Sequence, residues 1–327
     1  MTKKQNKIIF FGTPKFASII LQKLIKSQFQ PLAVVTAPDK PVGRKQTLTP
    51  SSVKELALKY QIPFFQPASL KNNKEIITQL SSLKPDLFIV TAYGLILPQE
   101  ILDLPANGSL NIHPSLLPQY RGASPIQATI LNGETITGIT IILMDVKVDH
   151  GPILVQQKLK IEDSKIIYSN LSNQLAELGG ELIVKTLPKY FKNEIKPLIQ
   201  DHAQATFTQR LKKQDGQIDW LQSAMKIESL IRAYQPWPGT YAIINLKTSN
   251  LNNKWLKIVE ADILEINHRQ KSGAIFLTKN KNLAVACQQN ALILKKIQLP
   301  GKQIIKAHDF LNGYPEIIKA RLSMTNI

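Results

Sequence analysis

Apolar residues recur along this chain with two different periods. Residues 7–11 hold a short apolar run, which predicts a strand, and 14–27 carry Phe16, Ile19, Ile20, Leu24 and Ile25 at helical spacing behind Pro14. A strand is predicted at 32–36, with further strands at 86–91, 109–113 and 137–143 and helices near 52–60, 74–80 and 124–131. Strands alternating with helices predict an α/β fold built on a doubly wound, mostly parallel sheet. Such a sheet takes its ligand in the crevice at the carboxyl ends of its strands. Asp163 reads as the N-cap of a long helix through Leu187, carrying Leu171, Leu175, Leu178, Leu182 and Ile183, which closes a first domain.

Beyond that helix the pattern changes. From 194 to 205 the chain is polar, holds Lys196-Pro197 and has little periodicity, so it reads as a linker. A short helix is predicted at 227–234, then strands at 241–246, 255–266, 273–278, 282–287 and 291–299. That many short strands in so few residues predict a small barrel. The expected organisation is a first domain at 1–194, a linker at 195–206 and a β-barrel domain at 207–327.

Charge adds a partner class. The chain of 327 residues carries 41 basic and 23 acidic side chains, a net charge of +18. Residues 1–194 hold 22 basic and 14 acidic groups and residues 195–327 hold 19 and 9, so the shorter segment has the larger excess. A basic second half is the footprint of a protein that grips a phosphate backbone, with solubility tuning as the alternative. One cysteine, Cys287, allows no internal disulfide and reads as a buried structural thiol. The apolar run behind Lys3, Lys4 and Lys7 is too short for a signal peptide, and no stretch approaches the roughly 18 apolar residues of a membrane span. A soluble cytoplasmic protein without a membrane partner is expected.

The chemistry concentrates between Asn111 and Asp149. Asn111 and His113 alternate in a predicted strand, so both side chains leave one face. A carboxamide and an imidazole side by side are donors suited to hold negative charge building on a carbonyl oxygen during acyl transfer. Asp149, in the turn Asp149-His150-Gly151-Pro152 after the strand at 137–142, adds a carboxylate that fixes and charges an imidazole beside it. No Ser, Cys or Thr nucleophile is needed if the substrate brings its own. Gly12-Thr13-Pro14 invites a dinucleotide reading, but Gly-x-Gly-x-x-Gly is missing and Pro14 lacks the N–H a phosphate would want, so it reads as a strand-to-helix turn. The loop 37–51, with Lys40, Arg44 and Lys45, is basic and rich in breakers and reads by itself as a mobile connection outside the sheet. The apolar segment 92–98 reads by itself as core.

Asn111-x-His113, then Ser115-Leu116-Leu117-Pro118-Gln119-Tyr120-Arg121-Gly122, then Asp149-x-Gly151, resembles the folate-dependent formyltransferases. The resemblance covers nearly the whole chain. Phe10-Phe11-Gly12-Thr13-Pro14, Pro38-Asp39-Lys40-Pro41-Val42-Gly43-Arg44, Ala92-Tyr93-Gly94-Leu95-Ile96-Leu97-Pro98, Ile218-Asp219-Trp220 and Pro236-Trp237-Pro238-Gly239 follow in the family's order, the Arg44 loop and the last segment pointing to its tRNA-directed branch.

The resemblance implies a Rossmann-like catalytic core followed by an oligonucleotide-binding-type barrel. It implies formyl transfer from 10-formyltetrahydrofolate to the α-amino group of methionyl initiator tRNA, with Asn111 and His113 stabilising the oxyanion and Asp149 orienting and charging His113. Folate would lie against Tyr93, Leu95, Ile96 and Leu97 and against Ser115, Leu116, Leu117 and Pro118. Arg44 matches the family's essential arginine, with Lys40 and Lys45 beside it. Among second-domain cations, Arg210, Lys212, Lys213 and Arg232 are candidates for RNA contact. Tyr120-Arg121-Gly122 is expected to anchor the loop after the site and His150 to be a turn residue. No metal is expected, because acyl transfer from a formamide needs no Lewis acid once donors are in place, and a monomer is expected. A formyltransferase for a small amine would use the same trio but leaves the basic second half and the Arg44 loop without a purpose. A non-catalytic RNA-binding or nucleotide-binding protein leaves the trio without one.

Overall fold

The computed structural model describes residues 6–43, 46–247 and 249–324. The chain forms two compact units, one of Met1–Pro125, Ile136–Ile161 and Leu171–Thr208 and the other of Ile126–Thr135, Glu162–Asn170 and Gln209–Ile327.

The first unit is built on strands β1 (Ile8–Phe11), β2 (Ala33–Val35), β3 (Lys40–Val42), β4 (Thr47–Thr49), β5 (Phe64–Phe65), β6 (Leu87–Val90), β7 (Ser109–His113), β8 (Arg121–Gly122), β9 (Ile136–Leu143) and β10 (Ile153–Lys160). Seven of them make one sheet in the order β10-β9-β7-β6-β1-β2-β5. From β7 to β5 the pairs are parallel, while β9 runs antiparallel to β7 and β10 antiparallel to β9. β1, β2 and β6 are apolar and buried along their whole length, as strands covered on both faces must be. The chain order reverses at β1, so a crevice opens at the carboxyl ends of β1, β6 and β7.

Three local readings change. The basic loop stays out of the main sheet but makes its own antiparallel ribbon, β3 with β4, Lys40 facing Thr49. The long helix runs Tyr168–Phe191, so Asp163 is not its N-cap; the Asp163 carboxylate instead accepts from the Lys165 N–H in a preceding turn. Segment 195–206, expected as a linker, belongs to the first unit: Leu198 exchanges backbone hydrogen bonds with Ile153, and Phe207–Thr208 (β11) pairs with β8.

In the second unit β12 (Thr240–Asn245), β13 (Trp255–Leu264), β14 (Ile275–Leu277), β15 (Leu283–Ala286), β16 (Ala291–Gln298), β17 (Ile305–Lys306) and β18 (Arg321–Ser323) form an antiparallel sheet in the order β14-β15-β16-β13-β12-β18, with β17 on β16. A bridge between Ala274 and Arg321 brings its ends together into a nearly closed barrel. Alternating residues of β12 and β13 point inward, and Ile244, Leu256, Ile258 and Leu292 meet there with Phe310. The helix Ala224–Ala233, capped by the Ser223 hydroxyl on the Lys226 N–H, packs Ile227 and Ile231 onto this core.

Candidate active site

Strand β7 ends at the crevice and sends Asn111 and His113 to one carboxylate. The Asn111 Nδ2 donates to Asp149 Oδ1 at 2.9 Å, and His113 Nδ1 lies 3.5 Å from Asp149 Oδ2. Asp149 reaches them from the loop after β9, whose ladder with β7 puts Ile142 opposite Asn111. Two glycines set that loop. A Cβ at Gly151 would come within 1.8 Å of the Leu143 carbonyl oxygen, so only glycine lets the turn fold back on β9. Gly122, at φ +107°, gives its N–H to Asp149 Oδ2 at 2.8 Å, and a Cβ there would meet the Thr208 carbonyl oxygen at 2.2 Å. The Asp149 carboxylate therefore faces an amide, an imidazole and a backbone N–H, as an anion with little solvent must.

His113 is only 4 % exposed and its Nε2 donates to the Tyr120 carbonyl at 2.9 Å. With Nε2 as donor, a ring protonated at Nδ1 as well has an acceptor at each nitrogen, one of them the carboxylate. Asn111 has one N–H on Asp149, and it lines a cleft of about 160 Å³ together with Asp149, Tyr93, Leu95, Ile96 and Val148. Ile96, Val146 and Val148 are well exposed on the rim, an apolar slot open to solvent. Burial pushes the Tyr93 phenol up to about 12, so it stays protonated, and its hydroxyl has no hydrogen-bond partner among the described residues. Thr13 holds this wall in place by donating to the Tyr93 carbonyl.

The other expected folate residues stand elsewhere. Ser115 is fully buried and gives its hydroxyl to the Gln119 carbonyl; Leu117 packs with Ile142 and Ile153. Leu116 and Pro118 are half-buried and, like these two, are not among the residues lining the cleft. Thr140 and Gln156 tie the segment down through the Ser115 and Leu117 carbonyls. Residues 115–118 thus carry the chain from His113 to Gly122 as a buttress, and the slot is made by 92–97 and 142–149. Gly12 donates its N–H to the Val35 carbonyl at 3.0 Å, leaving that group unavailable to a phosphate.

A layer behind the carboxylate, buried at Arg121 and Gln200, contains residues that the pattern of the chain does not single out. Gln200 donates to the backbone carbonyls of Asp149 at 2.9 Å and Gly151 at 2.7 Å, while its Oε1 accepts from Arg121 Nη2 at 2.7 Å and Nε at 3.2 Å. Arg121 Nη2 also donates to His202 Nδ1 at 2.9 Å, and the His202 ring stacks on His150 with centroids 4.1 Å apart. His150 is paired in turn with Asp145 at 2.6 Å, so it is more than a turn residue. His202 is exposed, yet desolvation of its ring against these neighbours is the first cause that lowers its pKa, reinforced by His150, Arg121 and Lys147 and opposed by Asp145. Arg121 was legible as an anchor from its motif. Gln200 sits in an unpatterned polar stretch that offered no signal.

Among the candidate RNA contacts, Arg44 and Lys45 lie outside the described residues. Lys40 is exposed at the start of β3, and Arg210, Lys212 and Lys213 are exposed before the barrel. Arg232, expected among these contacts, is not available: its guanidinium is spent on Glu228 at 2.8 Å, on the Ile166 carbonyl and on the Ser229 hydroxyl, with only 13 % of the side chain exposed, so its fork is not open to phosphate. Among the described residues no group of His, Cys, Asp or Glu is arranged to hold a metal ion, and no helix is long and apolar enough to cross a membrane. A larger cavity of about 700 Å³ in the barrel, beside His268 and Arg269, contains none of the trio.

Comparison with known proteins fits this geometry. The formyl transferase family matches residues 6–187, and the formyl transferase C-terminal domain matches 210–315. The chain is 43% identical to the methionyl-tRNA formyltransferase of Caldicellulosiruptor saccharolyticus over 94% of this chain and 96% of that one. It is 39% identical to the methionyl-tRNA formyltransferase of Staphylococcus epidermidis over 97% and 99%. An N-formyltransferase from Helicobacter canadensis, solved in complex with folinic acid and dTDP-3-aminofucose, shares the fold with a TM-score of 0.61 at 18% identity, covering 88% of this chain and 98% of its own. The chain belongs to the formyl transferase family, an enzyme of one-carbon group transfer. Within that family it belongs with the methionyl-tRNA formyltransferases, which it matches from end to end.

Proposed function

We propose that this chain transfers the formyl group of 10-formyltetrahydrofolate to the α-amino group of methionyl initiator tRNA. The observation that carries the reading is the meeting of Asn111, His113 and Asp149, 38 residues apart at the extremes, beside a solvent-open apolar slot. The slot suits a flat heteroaromatic ring, with Ile96 and Val148 against its faces. The neutral α-amino group, with an ordinary pKa of roughly 8, needs positioning more than activation. Its lone pair forms a bond to the formyl carbon and the carbonyl π electrons move to oxygen. The second Asn111 N–H, the one not given to Asp149, stabilises that oxyanion, and the His113–Asp149 pair offers a proton path beside it. Collapse breaks the bond from the formyl carbon to the folate nitrogen, which takes up a proton as the amine loses one.

Arg44, Lys40 and Lys45 grip the acceptor end of the tRNA, and Arg210, Lys212 and Lys213 add salt-sensitive contacts. The amino sugar named with the Helicobacter enzyme belongs to a protein sharing only the fold. The test is direct. Purified full-length chain, 10-formyltetrahydrofolate and charged initiator tRNA should yield N-formylmethionyl-tRNA, with dTDP-amino sugars and glycinamide ribonucleotide left unformylated. Preference for a small amine would overturn the assignment.

A further inference from the structure

The barrel carries an aromatic surface that nothing in the catalytic reading uses. In the β12–β13 ladder Ile243 faces Trp255 and Tyr241 faces Lys257. Tyr241 and Trp255 stack diagonally across the strands, ring centroids 4.9 Å apart and planes within 14°. Trp255 is 40% exposed, in contrast to Trp220 in the core at 3%. The Lys213 ammonium sits 4.9 Å from the Trp255 ring centroid, and a cleft of about 260 Å³ runs past Tyr241, Trp255, Lys213 and Lys257 to Pro300.

The local charges are as informative as the rings. On the same sheet Lys296 is paired with Glu260 at 2.7 Å and Lys295 with Asp262 at 3.1 Å. Lys213 and Lys257 have no carboxylate partner among the described residues. Two unneutralised ammonium groups flanking an exposed Trp255 ring stacked on a half-buried Tyr241 are poorly suited to an apolar peptide, which would leave both cations buried and unpaired. They suit a ligand that is planar and anionic at once. A nucleotide is such a ligand, because its base stacks on an aromatic ring while its phosphate meets the lysines. The Lys213 ammonium lies over the Trp255 face, so a base stacking there would displace it toward its own phosphate.

We propose that Tyr241 and Trp255 form a stacking platform for one unpaired base of the bound RNA, with Lys213 and Lys257 on the phosphates beside it. The proposal rests on the tRNA reading for the identity of the RNA and on the barrel geometry for the site. It separates two kinds of contact on this domain: ionic ones, which salt weakens, and a stacked one, which salt leaves largely alone.

Binding of the full chain to decauridylate, to a ten-base-pair RNA duplex and to charged initiator tRNA, each at two salt concentrations, tests it. Trp255→Ala should raise the dissociation constant for decauridylate and for the tRNA roughly tenfold with an unchanged salt slope, and Trp255→Phe should restore most of the loss. Lys213→Ala should flatten the slope by about 0.7 to 0.9. Binding of decauridylate but not of free UMP identifies the chain, not the free nucleotide, as the ligand. Unchanged affinity in Trp255→Ala, an equal loss on duplex, or a loss that Phe does not rescue overturns the platform. If formylation of tRNA fails while decauridylate binding still depends on Trp255, the functional reading falls and the platform stands; the opposite result removes the platform alone.

Discussion

Two polar regions of this molecule solve opposite problems. Around Asp149 the polar groups are buried and tightly partnered: the carboxylate accepts from Asn111 and Gly122 with His113 beside it, and its backbone carbonyl accepts from Gln200. Ahead of the barrel, Arg210, Lys212 and Lys213 are exposed side chains on a surface with excess positive charge. Electrostatic stabilisation of a transition state needs donors already fixed where charge appears. Grip on a polyanion needs charge that adjusts to wherever phosphates fall. The first region should therefore be intolerant of single changes, the second tolerant.

The sharpest test of that difference lies at Asn111. Asn111→Ala removes the proposed oxyanion donor and should lower turnover by about 10² to 10³, and His113→Ala should do comparable harm, with both variants folded but melting somewhat below the parent because each leaves a buried partner unpaired. Steady-state formylation beside a melting curve checks it. Near-normal turnover in a folded Asn111→Ala protein would remove the trio from the chemistry.

Gly122→Ala sharpens the comparison from the side of the backbone. At φ +107° an L side chain is strained, and its Cβ would stand 2.2 Å from the Thr208 carbonyl oxygen. The expected cost is about 1–3 kcal/mol of stability, read from the urea midpoint, together with a fall in turnover as the N–H on Asp149 moves. A variant as stable and active as the parent would show that the carboxylate does not depend on this turn.

Much of this first region was legible in the chain before the fold was known. Asn111 and His113 alternate in a strand, and the strand period of two fixes a shared face whatever the tertiary context. All five barrel strands expected between 241 and 299 are present because alternation of apolar residues is a local signal. Other features are set by contacts far apart in the chain and leave no local trace. Gln200 reaches Asp149 across 51 residues from a stretch without periodicity. The helix boundary at Tyr168 rather than Asp163 is a choice among several competent polar residues near a turn, which propensity does not resolve. Arg232 looked like any other cation in a basic domain, although the predicted helix already put Glu228 one turn away; the Ile166 carbonyl that also holds it is 66 residues distant and left no local trace. The cleft's composition was half legible, since 92–97 line it, while 115–118 share the same apolar character and turn out to be a buttress.

On the tolerant side, Arg210→Ala and Lys212→Ala should each weaken tRNA binding only a few-fold, with no change in melting. Each should also reduce the slope of log affinity against log salt by about 0.7 to 0.9 if the side chain meets a phosphate. Binding titrations at several salt concentrations measure this. A hundredfold loss from either change would mean that this surface is as specifically built as the site around Asp149.

The smallest expected effect joins the Arg121–Gln200 layer to pH through His202, which stands exposed at its edge. Arg121 Nη2 donates to His202 Nδ1, the exposed ring lies on His150, and desolvation against these neighbours, then His150, Arg121 and Lys147, lower its pKa while Asp145 pulls the other way. A histidine whose folded pKa lies below the unfolded value of 6.5 binds fewer protons folded than unfolded between the two values. Stability then rises with pH through that window, so the contribution is present above about 6.5 and is lost as pH falls through the lowered value. Urea midpoints taken from pH 7.5 downward should fall in the parent and fall less steeply in His202→Gln, whose side-chain oxygen keeps an acceptor for Arg121 without titrating. Stability is the proper readout, because activity falls in the same direction as the substrate's α-amino group becomes protonated. Parallel pH curves for parent and variant would show that His202 does not couple proton uptake to the Arg121–Gln200 support behind Asp149.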